Sequence, residues 1–273
     1  MPTTDNISWV SHGSSFATEL YLGSQRVWPA KYISLGSQYK LGDNKILYSL
    51  DGGTSGIPSS IQGKTRYIKK GTNHYLATLT DNTVVGWGSN FYGEISIPSS
   101  IQGRVVKAIG ACQSSFALLD DGTVRHWGRV WGTNNQIPSS LTGVVDIFTL
   151  CYDPVVIKSD GTVFSWSGGT SSVPLNRIIK IALDYNVRGY QQDDGSLTTY
   201  GQTYRDVSSS AEIIDFTFAE ARLRTLRLNG DWWHHEPISF GPPERLLAQN
   251  IAVIAEDNFN IALDRNGNLI TVV

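Results

Sequence analysis

The sequence predicts an all-β fold, a seven-bladed β-propeller whose blades are four-stranded antiparallel sheets. Three observations lead there. The 273 residues include 27 Gly and 8 Trp but only 17% charged residues, below the roughly 25% of an average domain. That balance suits closely spaced strands and turns, and it opposes both disorder and a charged helical bundle. Next, TDNTVVGWGSNFYGEISIPSSIQG, DDGTVRHWGRVWGTNNQIPSSLTG and SDGTVFSWSGGTSSVPLN repeat one pattern, with Trp87, Trp127 and Trp166 in a shared slot. Finally, Leu50, Tyr200, His235 and Val272 continue that slot, so a period of about 37 residues runs from near residue 31 onward.

Each element of one repeat follows from its residue types. RVVKAIG, from Arg104, is a β-branched run, and SSFALLD, from Ser114, is a second strand with alternating faces. Asp121-Gly122 predicts a two-residue hairpin turn, because Gly accepts positive φ without steric cost. TVRHWG forms the third strand, and a short fourth strand is expected before Ile137-Pro138. Pro suits an outermost strand, which can spare one N–H.

Such a sheet has two apolar faces that it cannot bury alone, and radial repetition buries them. A linear solenoid would need polar caps at both ends, whereas the last repeat stops at Val273 on its third strand. The expected division is therefore an N-terminal segment, 1–30, and a propeller, 31–273. The segment is expected to act as an attachment arm, a ring-closing strand or both, with ELYLGSQRVW (from Glu19) as the strand donor.

Charge narrows the partners. The 22 basic and 24 acidic residues form no long run of either sign, so no nucleic-acid partner is predicted. No stretch reaches the roughly 18–20 apolar residues of a membrane helix, so no membrane insertion is expected. MPTTDNISWVSHGSS lacks the basic start and apolar run of a signal peptide.

The residues that invite chemistry have simpler readings. His234 and His235 are neighbours on a strand and point to opposite faces, so they cannot share a metal without distortion. His235 falls in the Trp slot, which predicts packing. The second Asp of Asp120-Asp121 and of Asp193-Asp194 takes the turn position that Asp favours. There is no Gly-x-Ser-x-Gly elbow, phosphate loop or His-Glu-x-x-His. The sequence therefore predicts no enzyme, catalytic residue, metal, cofactor or small-molecule substrate. Cys112 and Cys151 share a slot in consecutive repeats, near the roughly 7 Å Cα limit for a disulfide. Cytoplasmic synthesis favours two free buried thiols.

The repeats resemble those of the regulator of chromosome condensation family. Ala117, Leu118, Asp121, Gly122, Thr123, Val124, Trp127 and Gly128 carry the likeness in one repeat, followed by a loop and Ile-Pro. The resemblance implies a seven-bladed propeller. It does not carry over the nuclear member's nucleotide exchange on a small GTPase or its chromatin binding, because no basic arm or inserted wedge is visible. Length and repeat style are more similar to the secreted bacterial propeller that inhibits β-lactamases through aromatic-rich loops. By that resemblance the partner-binding positions are Phe91, Tyr92 and Trp131, after the third strand. Between the first and second strands they are Asn73, His74, Gln113, Tyr152, Asp153, Tyr185 and Asn186. Loop aromatics are common anchors of protein interfaces.

ISWVSHGSSFATELYLGSQRVWPAKY resembles the opening of tailed-bacteriophage tail and baseplate proteins, through Leu20, Tyr21, Leu22, Gly23, Ser24, Val27, Trp28 and Pro29. This implies a non-enzymatic virion protein assembled in the host cytoplasm, whose partners are other virion proteins or a host-surface receptor. The alternatives are a bacterial protein-binding inhibitor or adhesin, secreted or at the cell surface, and a glycan-binding propeller.

Overall fold

The computed structural model describes residues 7–11, 17–22, 25–28, 32–36, 38–50, 53, 56–129, 137–138, 140–150, 153–165, 169–171, 178–184, 187–192, 196–200, 213–219, 222–227, 229–237, 244–255, 260–264 and 268–272. Residues 44–178 form one compact unit, and residues 1–43 with 179–273 form a second. The described residues are strands, turns and two short 3-10 turns. Among the described residues, no helix is long and apolar enough to cross a membrane.

In the unit 44–178, each repeat folds as consecutive antiparallel strands. Thr65–Lys70, His74–Leu79 and Val84–Gly88 make one sheet; Val105–Gly110, Ser114–Leu119 and Val124–Gly128 make the next. Val144–Leu150, Asp153–Lys158, Val163–Ser165 and Gly169–Ser171 make a four-stranded one. All six residues of Ser114–Leu119 are buried, because both sheet faces are covered. Ala117 and Leu119 pack backward with Leu76, Val84, Ile101 and Trp127. Phe116 and Leu118 pack forward with Leu141, Val144, Ile147 and Val156. The period-2 alternation of the strand thus distributes one side chain in two to each neighbouring repeat.

The hairpin turn differs from the two-residue expectation. Leu119 N–H bonds Thr123 O at 2.8 Å, and Gly122 N–H bonds Leu119 O at 3.0 Å. The loop is therefore three residues, Asp120 to Gly122, ending in a left-handed position where Gly122 has φ 74. This is the three-residue hairpin with a G1 bulge. Asp121 Oδ1 accepts from Thr123 N–H at 3.0 Å and from its hydroxyl at 2.6 Å. Asp81 and Asp160 make the same pair of bonds to Thr83 and Thr162. The left-handed residue also turns its carbonyl toward the next repeat. Asn82 O accepts from Val105 N–H at 3.0 Å, and Gly122 O from Val144 N–H at 3.2 Å.

Among the described residues, four strands per sheet holds for 144–171 and for 213–248, whereas the six other sheets have three. The reason is visible after Trp87. Residues 89–98 form a loop held by its own turns, and Ile95 and Ile97 pack on the core without a ladder. The edge of Val84–Gly88 is met by a side chain instead. Gln102 accepts from Val84 N–H at 2.8 Å and donates to Val84 O at 3.0 Å. Gln62 does the same to Leu47, at 2.9 and 3.0 Å. Both glutamines follow a Pro-Ser-Ser-Ile 3-10 turn with a buried Ile.

In the second unit, Ile7–Ser11, Ala17–Leu22 and Gln25–Trp28 pair as a meander of their own. Among the described residues the last sheet contains Ile251–Ile254, Ile261–Asp264 and Leu269–Thr271 and no N-terminal strand. Within the segment from Glu19, Ala17–Leu22 pairs with Ile7–Ser11 on one side and with Gln25–Trp28 on the other. Ile178–Asp184, Val187–Gln192 and Leu197–Tyr200 form a three-stranded sheet. Ile213–Ala219, Arg222–Arg227, Trp232–His235 and Glu244–Ala248 form a four-stranded one. Phe216, Phe218 and Leu223 pack with Leu197 and Ile213, while Leu226 and Trp232 pack with Ile251, Ile254 and Ala262.

Candidate partner-binding loop

Two equivalent exits from the third strand build the site. Gly88 and Gly128 have φ 99 and 90. A Cβ at Gly88 would lie 2.6 Å from Asn73 O, and one at Gly128 3.0 Å from Gln113 O. Those glycines let the chain turn closely over the preceding hairpin. Ser89 N–H then bonds Asn73 O at 2.8 Å, and Arg129 N–H bonds Gln113 O at 2.9 Å.

From Ser89 the loop is fixed by short-range bonds. Asn90 Oδ1 accepts from Ile95 N–H at 2.9 Å, and Gly93 N–H bonds Asn90 O at 3.2 Å. Glu94, 3% exposed, anchors it. Its Oε2 accepts from Tyr92 N–H at 2.8 Å, and its carbonyl accepts from Ser115 Oγ and from Trp127 Nε1, both at 2.7 Å. The loop of one repeat is therefore bonded to the strands of the next. Phe91 projects from this rigid frame at 84% exposure and meets Tyr92 edge-on, with centroids 4.8 Å apart. Arg129 lies over the Tyr92 ring at 4.8 Å and donates to Gln113 Oε1 at 3.0 Å. Phe91, Tyr92, Arg129 and Gln113 thus form one continuous aromatic, cationic and amide-bearing patch, with exposed Asn73 at the equivalent position of the preceding hairpin.

His74 does not join it, and this corrects its place among the contact residues. It is 0% exposed. Burial pushes its pKa below the ordinary imidazole range, against the opposing charge of Glu94. Because the Ser115 hydroxyl donates to Glu94, the 3.0 Å contact has His74 Nε2 donating to Ser115 Oγ. Both side chains are 0% exposed, so the pair is an internal strut and not a nucleophile and base open to substrate. Asp153 opens its strand opposite Leu150. Trp131, Tyr152, Tyr185 and Asn186 lie outside the described residues, as do Trp166 and the Asp193-Asp194 turn.

Arg129 and Glu94 are the members that sequence reasoning missed. The available signal was position: Arg129 directly follows the Trp-Gly of its repeat, in the slot of Ser89. Cys112 is disulfide-bonded, which corrects the free-thiol expectation for that residue; Cys151 lies outside the described residues. Equivalent slots of consecutive repeats do lie together. Thr72, the counterpart of Cys112 one repeat earlier, bonds Ala111 O through its N–H at 3.1 Å.

Comparison with known proteins agrees with this architecture. The regulator of chromosome condensation (RCC1) repeat matches residues 71–94. The chain carries an RCC1-type repeat in a β-propeller fold. It is similar to Prp20p from Saccharomyces cerevisiae, described with its binding to Gsp1p and histones, at 14% identity and TM-score 0.55, covering 81% of this chain and 75% of that one. Yeast RCC1 (Prp20) bound by Kap60 superposes at 15% identity and TM-score 0.56, over 88% and 79%. Human WBSCR16 does so at 14% identity and TM-score 0.55, over 84% and 81%. These likenesses show the fold alone. No curated protein matches the chain.

Proposed function

We propose that the chain is a non-enzymatic, seven-bladed binding propeller that serves as a structural protein of a phage tail or baseplate. It works by protein contact within the virion or at the host surface. The observation that carries the binding reading is Phe91. A large apolar ring held 84% exposed on an internally bonded loop is unfavourable for an isolated protein and useful at an interface. Tyr92 and Arg129 beside it are residue types enriched at interface centres. The rigid loop means that little ordering entropy is lost on contact.

The virion setting rests on the resemblance of the first thirty residues to tail and baseplate proteins. Disulfide-bonded Cys112 favours a protein that functions in oxidising surroundings. The same chemistry also supports the second reading, a secreted or surface-displayed inhibitor or adhesin. The solved relatives include proteins described with protein partners, which agrees with either setting.

The test replaces Phe91 and Tyr92 by Ser in the phage or host that encodes the chain. The expected result is an unchanged circular dichroism spectrum with at least a tenfold fall in particle yield or host adsorption. Wild-type yield and adsorption, with the altered protein present in particles, would remove this loop from the interface. Absence of the protein from particles altogether would refute the virion setting and leave the inhibitor or adhesin.

A further inference from the structure

The patch around Phe91 leads back to a covalent bond. Ala111 N–H bonds Ser114 O at 2.9 Å, so Cys112 and Gln113 are the two central residues of the turn between Val105–Gly110 and Ser114–Leu119. Cys112 is half-buried and disulfide-bonded. Gln113 beside it accepts from Arg129 at two points. Its carbonyl takes Arg129 N–H at 2.9 Å, and its Oε1 takes Arg129 Nη1 at 3.0 Å. Arg129 in turn lies over the Tyr92 ring, and Tyr92 meets Phe91. The disulfide is thus one residue away from the group that positions the cation of the patch.

The preceding repeat offers an internal comparison. Gly71 N–H bonds His74 O at 2.8 Å, which makes Thr72-Asn73 the equivalent turn. Its Asn73 carbonyl accepts Ser89 N–H at 2.8 Å, just as the Gln113 carbonyl accepts Arg129 N–H. Thr72 stands in the slot of Cys112 and ties its turn to the next repeat by a main-chain bond to Ala111 O at 3.1 Å. One turn therefore carries a hydrogen bond at this slot and the other a disulfide. The base of the Cys112 turn is packed tightly: a Cβ at Gly110 would lie 2.5 Å from Gly71 N, and Ser114 and Ser115 are 0% exposed. Freedom gained by opening the disulfide is confined by this packing to the tip, Cys112 and Gln113.

From this geometry we infer that the Cys112 disulfide is a redox latch on the Phe91 patch. Oxidised, it fixes the turn tip, so that Gln113 holds Arg129 beside Tyr92. Reduced, it frees the tip, and the patch loses its ordered cation. The reductant is a dithiol of the kind that keeps the cytoplasm reduced. One thiolate of the dithiol attacks a sulfur of the disulfide, the S–S bond breaks, and a mixed disulfide forms. The second thiol of the reductant then resolves it. Both protein sulfurs end as thiols, having gained two electrons and two protons, and the dithiol ends as its own disulfide. The half-buried position of Cys112 admits that attack. A chain made in a reducing compartment thus carries a loose patch, which closes on transfer to an oxidising medium and then loses less ordering entropy on contact. The consequence for binding rests on the reading of the Phe91 loop as the contact surface.

The experiment is amide hydrogen exchange on the full chain, followed by NMR, in the oxidised protein, in excess dithiothreitol and in Cys112→Ser. Thiol labelling reports whether the disulfide is open. Arg129 N–H, bonded to the Gln113 carbonyl, is the probe, and Ser89 N–H, bonded to Asn73 of the turn without a cysteine, is the control. Reduction should speed exchange at Arg129 at least tenfold and leave Ser89 unchanged. Cys112→Ser should match the reduced protein with or without dithiothreitol, and oxidised glutathione should restore protection in the wild type alone. Unchanged exchange at Arg129 once the thiols label, or a disulfide that dithiothreitol does not open, overturns the latch. Equal acceleration at Ser89 and Arg129 also overturns it, because the disulfide would then stabilise the fold as a whole. The readout needs no partner, so it can fail while Phe91 and Tyr92 still prove to be the contact, and the reverse.

Discussion

Trp127→Ala tests the repeat register most directly. Trp127 is 6% exposed and packs among Leu76, Val84, Ile101, Val105, Ala108, Ala117 and Leu119. A Trp side chain buries roughly 150–250 Å². At about 25 cal/mol per Å² this corresponds to about 4–6 kcal/mol as an upper figure. The indole also donates to Glu94 O at 2.7 Å, a bond worth about 1 kcal/mol net. Ser115 Oγ donates to the same carbonyl, so truncation does not leave that acceptor orphaned. The expected cost is therefore about 4–5 kcal/mol, near the top of the range for large aromatic truncations. Trp87 fills the same slot one repeat earlier but is only half-buried, stacked on Tyr75 with centroids 5.2 Å apart. Trp87→Ala should cost about 1–2 kcal/mol, the aromatic pair plus partial burial. Urea denaturation followed by far-UV circular dichroism measures both. Equal costs for the two variants, or a Trp127→Ala cost below that of Trp87→Ala, would refute the reasoning that Trp127 is the more deeply buried of the two and is held by Glu94 of the preceding repeat.

Two further outcomes follow from the same structure. Gln102→Ala removes both bonds to the Val84 backbone and should cost about 1–3 kcal/mol, with a drop in hydrogen-exchange protection at Val84; unchanged protection would show that the edge is held otherwise. His235 is 1% exposed and pairs with Thr225 Oγ1 at 2.8 Å, and its pKa is lowered to about 4 by burial, then by Arg227 and His234. The unfolded chain binds that proton first, so the contribution is intact above pH 6.5 and is lost as pH falls from 6.5 towards 4. Its size is on the order of 3 kcal/mol, and Tm against pH for wild type and His235→Phe measures it. A wild-type slope in this window no steeper than the variant's would show that His235 titrates unshifted.

The local chemistry of each repeat was legible in the chain. An Asp followed two residues later by Thr closes a hairpin through bonds spanning three residues, so Asp81, Asp121 and Asp160 act alike wherever they occur. The shared slot of Trp87 and Trp127 likewise marks the third strand from sequence, and Phe91 and Tyr92 were found as loop aromatics. Contacts between repeats were not legible, because they join residues roughly 40 apart whose meeting depends on how sheets stack. His74 reads as a loop histidine, yet it is closed over by Ser115 of the next repeat. Arg129 gains its role only where it reaches Tyr92. The fourth strand was expected from the repeat pattern, but the Asn90 turn and the Gln102 amide satisfy that edge without a ladder. The repeat period and the turns were thus set by bonds within a few residues. Burial, partner choice and the exposed patch were set by packing across neighbouring sheets, where equal slots meet unequal neighbours.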